Sequence, residues 1–500
     1  MSYELIAILM FSGMMLMLMT GQRVFGAIGF IGAAAGMALW GVGGSDIPFA
    51  AAMKLMKWYP MLTLPMFIFM GYVLSESKIA DDLYKMFHVW MGPVKGGLAI
   101  GTIGLMVLVS AMNGLSVAGM AIGATIALPE LLRRGYDKVL VTGVVQAGSS
   151  LGILVPPSVV LVLYAMIARQ PVGQLWLAGV LPGLMMATMF IIYIYLRARI
   201  QPNLGPAMKP EDLAEFEQIS DHPLRLNFIV LAALILLPLL AMTGLSDAKT
   251  TAGIALAAAV GSFALRHNPM FYKDVFMKEK HRLLFSGVLP LAIFAAMMVP
   301  FINGWTSLVE SSAIGAMTAF VAAVLKGRMN KEVFETSVRS TLGISCMFMW
   351  IILAALGFGA IFDGLGAVNA IKDLFTSQLG LSPWMILILM QVSFLLMGTF
   401  LDDTAMLVIV APLYVPLVGE LGFDLIWYGV LYTITTQIAY MTPPFGYNLF
   451  LMRAMAPPEI SLRDIYISII PFALIMVCAL ALVMVFPQIA TWLPDYVYGK

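Results

Sequence analysis

Apolar positions along this chain come in long runs separated by short polar stretches, and the run length is that of a bilayer. A spanning helix needs about 20 mostly apolar residues. By that rule the chain predicts twelve spans, at 4–19, 24–42, 60–75, 138–167, 175–196, 227–243, 250–265, 284–300, 310–325, 340–361, 425–455 and 466–487. Two further apolar stretches, 95–132 and 384–422, resist this reading. They are interrupted by Asn113-Gly114-Leu115-Ser116 and by Gly398-Thr399-Phe400-Leu401-Asp402-Asp403-Thr404, where a spanning helix would be continuous. Each predicts a re-entrant helical hairpin that enters and leaves on the same side. Lys and Arg concentrate on the cytoplasmic side of membrane proteins, which tests the assignment. With the N-terminus outside and both hairpins re-entrant, all 28 basic residues fall in cytoplasmic segments except Lys54, Lys57, Arg169, Lys249, Lys372 and Lys500. Counting either hairpin as a span inverts everything downstream and spoils this bias.

Composition agrees with an all-α membrane protein. Of the 500 residues 61% are hydrophobic and only 11% charged, and a mean hydropathy of +0.94 excludes an ordinary soluble globule. A net charge of +1 with dispersed basic residues argues against nucleic acid as a partner. Met1 to Glu4 lacks a basic stretch and Leu5 to Met19 runs directly into Gly21-Gln22-Arg23, so the first apolar run predicts a retained span rather than a cleaved signal. Cys346 and Cys478 are too far apart for a metal motif and read as small core residues.

The chain also repeats itself. Pro129, Gly135, Asp137, Pro156 and Pro157 recur as Pro416, Gly422, Asp424, Pro443 and Pro444, each displaced by 287 residues. Ala27-Ile28-Gly29 recurs as Ala313-Ile314-Gly315 at an offset of 286, and Gly71, Phe87 and Gly92 recur as Gly359, Phe375 and Gly380 at 288. In the predicted topology the third span runs inward and its counterpart, the tenth, runs outward, so the copies are antiparallel. Such inverted repeats characterise secondary transporters. They divide the chain into a first repeat over 1–200 with its hairpin near 95–132, a polar linker and extra helix pair over 201–283, and a second repeat over 284–490 with its hairpin near 384–422.

Chemistry is expected where helices break, because backbone groups freed inside a membrane must be satisfied by protein, ion or substrate. Besides the two hairpin tips, the breaks are Gly148-Ser149-Ser150-Leu151-Gly152 before Pro156-Pro157, and Thr433-Ile434-Thr435-Thr436 before Thr442-Pro443-Pro444. Two prolines in succession expose about a turn of carbonyls, whose oxygens together with nearby hydroxyls suit Na⁺, while half-helix N-termini suit a carboxylate. Symmetry then predicts two related sodium sites. One comprises Asn113, Gly114, Ser116, Ser149, Ser150 and Gly152; the other Gly398, Asp402, Asp403, Thr404, Thr433, Thr436, Thr442 and Pro443. An organic acid would lie between them, near Asn113, Ser116, Pro156, Thr399 and Thr404. Asp137 and Asp424 open long spans and read as helix caps. An acid in a membrane tip, as at Asp402 or Asp403, is a functional candidate by default.

At these residues the sequence resembles a known family, the large membrane subunit of tripartite ATP-independent periplasmic (TRAP) transporters. The resemblance is carried by Leu64-Pro65-Met66-Phe67-Ile68-Phe69-Met70-Gly71, by Pro129-Glu130 with Arg134-Gly135-Tyr136-Asp137, and by Gly152-Ile153-Leu154-Val155-Pro156-Pro157-Ser158. It continues through Ala178-Gly179-Val180-Leu181-Pro182-Gly183, Gly398-Thr399-Phe400-Leu401-Asp402 and Thr442-Pro443-Pro444-Phe445-Gly446, covering about residues 1–200 and 284–490. It implies a sodium-driven importer of organic acids in the bacterial inner membrane. Such an importer receives substrate from a soluble periplasmic binding protein, pairs with a small four-helix membrane subunit, and carries both hairpins in a domain that moves like an elevator against a static scaffold. The tip Asn113-Gly114-Leu115-Ser116 is poorer in serine than the family's, and the segment 201–283 is longer than usual.

A self-sufficient ion-coupled anion carrier of related fold is the rival within the class. An intramembrane hydrolase would need a base beside Ser116, and the four histidines, His88, His222, His267 and His281, all fall in loops or interfacial segments. No Gly-rich loop with Lys and Ser/Thr is present to bind ATP. The chain is therefore read as a transporter without catalytic residues or cofactor, coupled to Na⁺.

Overall fold

The computed structural model describes residues 3–207 and 288–499, except 21, 80, 82, 85–86, 88–90, 92–93, 115, 117–118, 121–122, 368–372, 374–379, 399–402 and 444–445. The predicted spans at 227–243 and 250–265 and most of the linker lie outside the described residues. All regular structure among the described residues is helical. The first half contains α1 (Tyr3–Met19), α2 (Val24–Trp40), α3 (Asp46–Met56), α4 (Thr63–Glu76), α5 (Gly97–Asn113), α6 (Leu128–Arg133), α7 (Lys138–Ser150), α8 (Val159–Ala168) and α9 (Val172–Ile200). The second half contains α10 (Val288–Ile302), α11 (Leu308–Leu325), α12 (Lys331–Gly364), α13 (Pro383–Gly398), α14 (Asp403–Glu420), α15 (Leu425–Met441), α16 (Tyr447–Met455), α17 (Leu462–Val485) and α18 (Gln488–Tyr498).

Among the described residues five helical segments are long and apolar enough to cross a membrane: Val24–Gly44, Val172–Ile200, Leu308–Leu325, Lys331–Gly364 and Leu462–Val485. Several of the other apolar helices are shorter, and four of them are halves of broken helices. The expected span 138–167 is two helices, α7 and α8, and 425–455 is likewise α15 and α16. Proline has no N–H and crowds the preceding turn, so α7 stops at Ser150 and tightens into a 3₁₀ turn over Leu151–Ile153. The chain restarts as α8 only after Pro157, with Ser158 Oγ accepting the Leu161 N–H at 3.2 Å.

Three expectations are corrected. Residues 46–56, read as a periplasmic loop, form α3, which lies along α12 with Pro48 against Gly357. The span expected at 340–361 begins at Lys331. Asn330 Oδ1 caps it by accepting the Val333 N–H at 2.7 Å, and the Arg339–Glu335 pair at 2.9 Å supports its polar first turns in water. At 1.5 Å per residue, 34 residues run to about 51 Å, well beyond a hydrocarbon core of about 30 Å. Cys346 and Cys478, expected in the core, are both exposed on the helix surface.

The entries to the two broken helices are built alike. After α6, Gly135 takes φ +80° and Tyr136 N–H reaches back to Leu131 O at 3.0 Å. After α14, Gly422 takes φ +82° and Phe423 N–H reaches back to Val418 O at 3.2 Å. Both are glycine-closed helix ends of the 6→1 type, which require a left-handed residue. Asp137 then caps α7 through Leu140 N–H at 2.9 Å, and Asp424 caps α15 through Ile426 and Trp427 N–H at 2.8 Å. The Tyr136 hydroxyl accepts the Leu98 N–H at 3.2 Å, which anchors the start of the first hairpin. Burial pushes that hydroxyl up to about 12, so it stays protonated.

Contacts sort the helices into two groups. In one, α12 lies against α2, α3 and α4, α11 against α4 and α10, and α1 against α2. In the other, α5 packs on α7, α13 on α15, and α17 on α7 and α15, while α9 touches α5, α8, α15, α17 and α18. The groups meet where α4 lies on α5, where α12 lies on α14, and where Trp176 of α9 sits between Phe67 and Phe301, with ring centroids 5.3 and 5.2 Å away.

Candidate functional site

The first hairpin tip is seated on the first proline break. Gly114 takes φ +66°, its carbonyl accepts the Val159 N–H at 3.3 Å, and a Cβ there would lie 2.8 Å from Val159 Cγ2 and 3.0 Å from Pro157 O. No larger residue turns this corner so close to the backbone of the break. A little deeper, a Cβ on Gly152 would meet Ser110 Cβ at 2.1 Å. The structure therefore brings Gly114 and Gly152 together, with Ser116, Ser149, Ser150 and Pro156 all buried around them. Asn113 is the last residue of α5; its side chain lies outside the described set.

The second break repeats this contact with the sizes exchanged. A Cβ on Gly398, the last residue of α13, would lie 2.5 Å from Ala439 Cβ. Gly152 and Ala439 are related by 287, and Ser110 and Gly398 by 288. The first break thus sets serine over glycine where the second sets glycine over alanine. Thr399 and Asp402 lie outside the described residues, and of Asp403 and Thr404 only the backbone, the first turn of α14, is described. Thr433 and Thr436 are buried in α15, Thr442 ends that helix, and Pro443 is an exposed turn residue. Nine residues at 1.5 Å rise separate Thr433 from Thr442 by roughly 13 Å, so one ion cannot touch both.

The candidate hydroxyls share one geometry. Ser149 and Ser150 donate to Gln146 O and Ala147 O, each at 2.8 Å. Thr433, Thr436 and Thr442 donate to Gly429 O, Tyr432 O and Ile438 O at 2.8, 2.7 and 2.6 Å. With the proton given to the helix, only oxygen lone pairs face outward, as a cation requires. The half-helix N-termini differ. At α8 the Val159 and Leu161 N–H groups are already taken by Gly114 O and Ser158 Oγ. At α16 the N-cap is Gly446, which makes no side-chain cap.

The two breaks interlock. The second half-helix of each packs on the first half-helix of the other, α8 on α15 and α16 on α7. Tyr164 of α8 donates to Leu425 O at 2.8 Å and stacks on Tyr432 with centroids 6.2 Å apart. Asn448 of α16 donates from Nδ2 to Ser149 Oγ at 3.5 Å. Sequence reasoning missed Asn448, Ser110, Gln146, Gln391 and Gln437, all buried. The available signal was polarity inside apolar runs. A search for matched pairs passes over them, since Asn448 corresponds at 287 to Leu161.

A sequence model of the family described as "Tripartite ATP-independent periplasmic transporter, DctM component" matches residues 11–489. The chain is 27% identical to the C4-dicarboxylate TRAP transporter large permease protein DctM of Pseudomonas aeruginosa, over 88% of this chain and 87% of that protein. It is 25% identical to the ectoine TRAP transporter large permease protein TeaC of Halomonas elongata, again over 88% and 87%. It is 24% identical to the sialic acid TRAP transporter permease protein SiaT of Haemophilus influenzae, over 87% of this chain and 60% of that longer protein. Among solved structures, the YdaH transporter of Alcanivorax borkumensis aligns with a TM-score of 0.58 at 14% identity, covering 97% of this chain and 98% of that one. MtrF of Neisseria gonorrhoeae, described with a class of antimetabolite efflux pumps, aligns at 0.54 and 13%, covering 92% and 85%. At these identities the structural likeness is one of fold.

Proposed function

Because the chain belongs to the DctM component family of tripartite ATP-independent periplasmic transporters, and is therefore a multi-pass membrane permease, we propose that it imports an organic acid across the bacterial inner membrane coupled to Na⁺. In this reading a periplasmic binding protein delivers the substrate and a small four-helix membrane subunit accompanies the permease. The family match over residues 11–489 carries the transport function. Among the named substrates of the relatives, C4-dicarboxylates, ectoine and sialic acid differ in size and shape but share a carboxylate, and isethionate carries a sulfonate in its place. An anionic oxygen group is the part of the substrate this chain would hold, and the N-terminus of α16, which has no side-chain cap although its Leu449 N–H is bonded to Gly446 O at 2.9 Å, would seat it at a positive dipole end.

Inverted repeats underlie this reading. They are supported by backbone conformations that recur at the sequence offset. Lys78 and Gly366 (φ +55° and +74°, offset 288) and Gly135 and Gly422 (φ +80° and +82°, offset 287) take positive φ in both halves. Sodium coupling is supported by buried hydroxyls whose lone pairs face away from their helices at both breaks. An elevator movement, in which the group holding both hairpins slides against the group of α1–α4 with α10–α12, is supported by the confined contacts between them.

Uptake of succinate, sialic acid and ectoine by cells expressing the chain with its companion subunits should require Na⁺, with a Hill coefficient above one. Ser150→Ala and Thr436→Ala should each raise the Na⁺ concentration for half-maximal uptake severalfold. Equal uptake in sodium and choline buffers would refute the coupling.

A further inference from the structure

We infer that Asn448 and Ser110 are additional cation ligands, and that the cation site of the first break is closed by a side chain from the second. This rests on the sodium-coupled reading above and deepens it. Ser149 Oγ has one proton and gives it to Gln146 O at 2.8 Å, so towards Asn448 it can only accept. The Asn448 amide must then present Nδ2 to Ser149, as it does at 3.5 Å, which turns Oδ1 the other way. Asn448 is fully buried and Oδ1 has no hydrogen-bond partner among the described residues. A buried amide oxygen left in this state is costly, unless something electropositive satisfies it.

Ser110 supplies a second such oxygen at the same junction. It too is fully buried, and its Oγ has no partner among the described residues. Most hydroxyls at the two breaks give their protons to a carbonyl one turn back, and in the same helix Thr102 does so to Leu98 O at 2.8 Å. Ser110 is held in place by two glycines: a Cβ on Gly119 would sit 2.0 Å from Ser110 Oγ and 3.5 Å from Ser149 Cα, and one on Gly152 would sit 2.1 Å from Ser110 Cβ. The hairpin therefore places Ser110 Oγ beside Ser149, and α16 reaches across from the other repeat to place Asn448 on the same residue. Ser110 Oγ and Asn448 Oδ1, two buried oxygens without a partner among the described residues, thus flank Ser149 from two different elements, and with no carboxylate between them they suit a hard monovalent cation. The counterparts at the second break do not reproduce the set, since Leu161 stands for Asn448 and Gly398 for Ser110. The arrangement ties ion binding at the first break to the position of α16, whose N-terminus is the proposed anion seat.

The test measures thermal unfolding of the purified full chain by tryptophan fluorescence, titrating NaCl against choline chloride at constant ionic strength. Wild type should be stabilised by Na⁺. Ser110→Ala and Asn448→Ala should each raise the half-maximal Na⁺ concentration at least fivefold while melting in choline close to wild type, and Asn448→Asp should retain the response. No stabilisation of wild type by Na⁺ would overturn sodium coupling itself, and this inference with it. A wild-type response that both alanine variants share at the same midpoint would overturn only the inference. So would variants that melt lower in choline with an unchanged midpoint, since that marks a packing role. Should Asn448→Ala not fold, Ser110→Ala decides alone, because it removes one oxygen and keeps the Cβ that packs on Gly152.

Discussion

A buried hydroxyl or carboxylate in this chain is read through the partner that takes its proton or gives one. Asp137 and Asp424 accept backbone N–H groups at the first turns of α7 and α15, and that geometry accounts for both acids without invoking transport. Asparagine caps nearly as well as aspartate, whereas alanine costs about 1 kcal/mol. Asp137→Asn and Asp424→Asn should therefore melt near wild type, and the alanine variants measurably lower, with sodium dependence of uptake unchanged in all four. Asp402 and Asp403 stand apart, because the offset of 287 aligns them with Leu115 and Ser116, so no second acid mirrors them. If one of them helps hold the ion, Asp402→Asn or Asp403→Asn should be expressed normally yet lose uptake or need far more Na⁺. Wild-type sodium dependence in both would reduce them to caps of α14.

Between elements, the two hairpins touch the two breaks through complementary sizes. Serine packs over Gly152 at the first break, while Gly398 lies under Ala439 at the second. Cores at this density do not absorb an added methyl without displacement. Gly398→Ala should therefore impair folding or uptake strongly, because its new Cβ would stand 2.5 Å from that of Ala439. Adding Ala439→Gly to the same chain should restore much of the loss. Failure of the second substitution to rescue the first, measured as expression and melting temperature, would show that the contact does not set the hairpin's seat.

Across the whole molecule, topology follows from where polar ends can reach water. The 34 residues of α12 are longer than a hydrocarbon core is thick, and in the proposed topology its charged first turns face the cytoplasm. With Cys346 and Cys478 replaced by serine, single cysteines at Val42 and Ser382 should react with an impermeant maleimide in intact cells. Those at Arg133 and Lys331 should react only after lysis. Labelling of Arg133→Cys from outside would make the first hairpin a true span and invert the second half of the scheme.

Hydrophobic run length and the proline positions were legible in the sequence because each is a one-dimensional record, the first of a bilayer's thickness and the second of a missing N–H. Among the described residues they located most of the apolar helices and the two proline breaks, Asp137 and Asp424 were legible as caps, and the family motifs lay among the same residues. They could not show α3 or the early start of α12, since a helix at a membrane surface leaves only a weak apolar signal and is stabilised by caps and by its neighbours. Nor could they show that α8 lies on α15 and α16 on α7. That interlock, and with it the meeting of Ser110, Ser149 and Asn448, joins residues about 300 positions apart. Pairing at that range is decided by packing in three dimensions, where an amide's partner is whichever group the fold brings within reach.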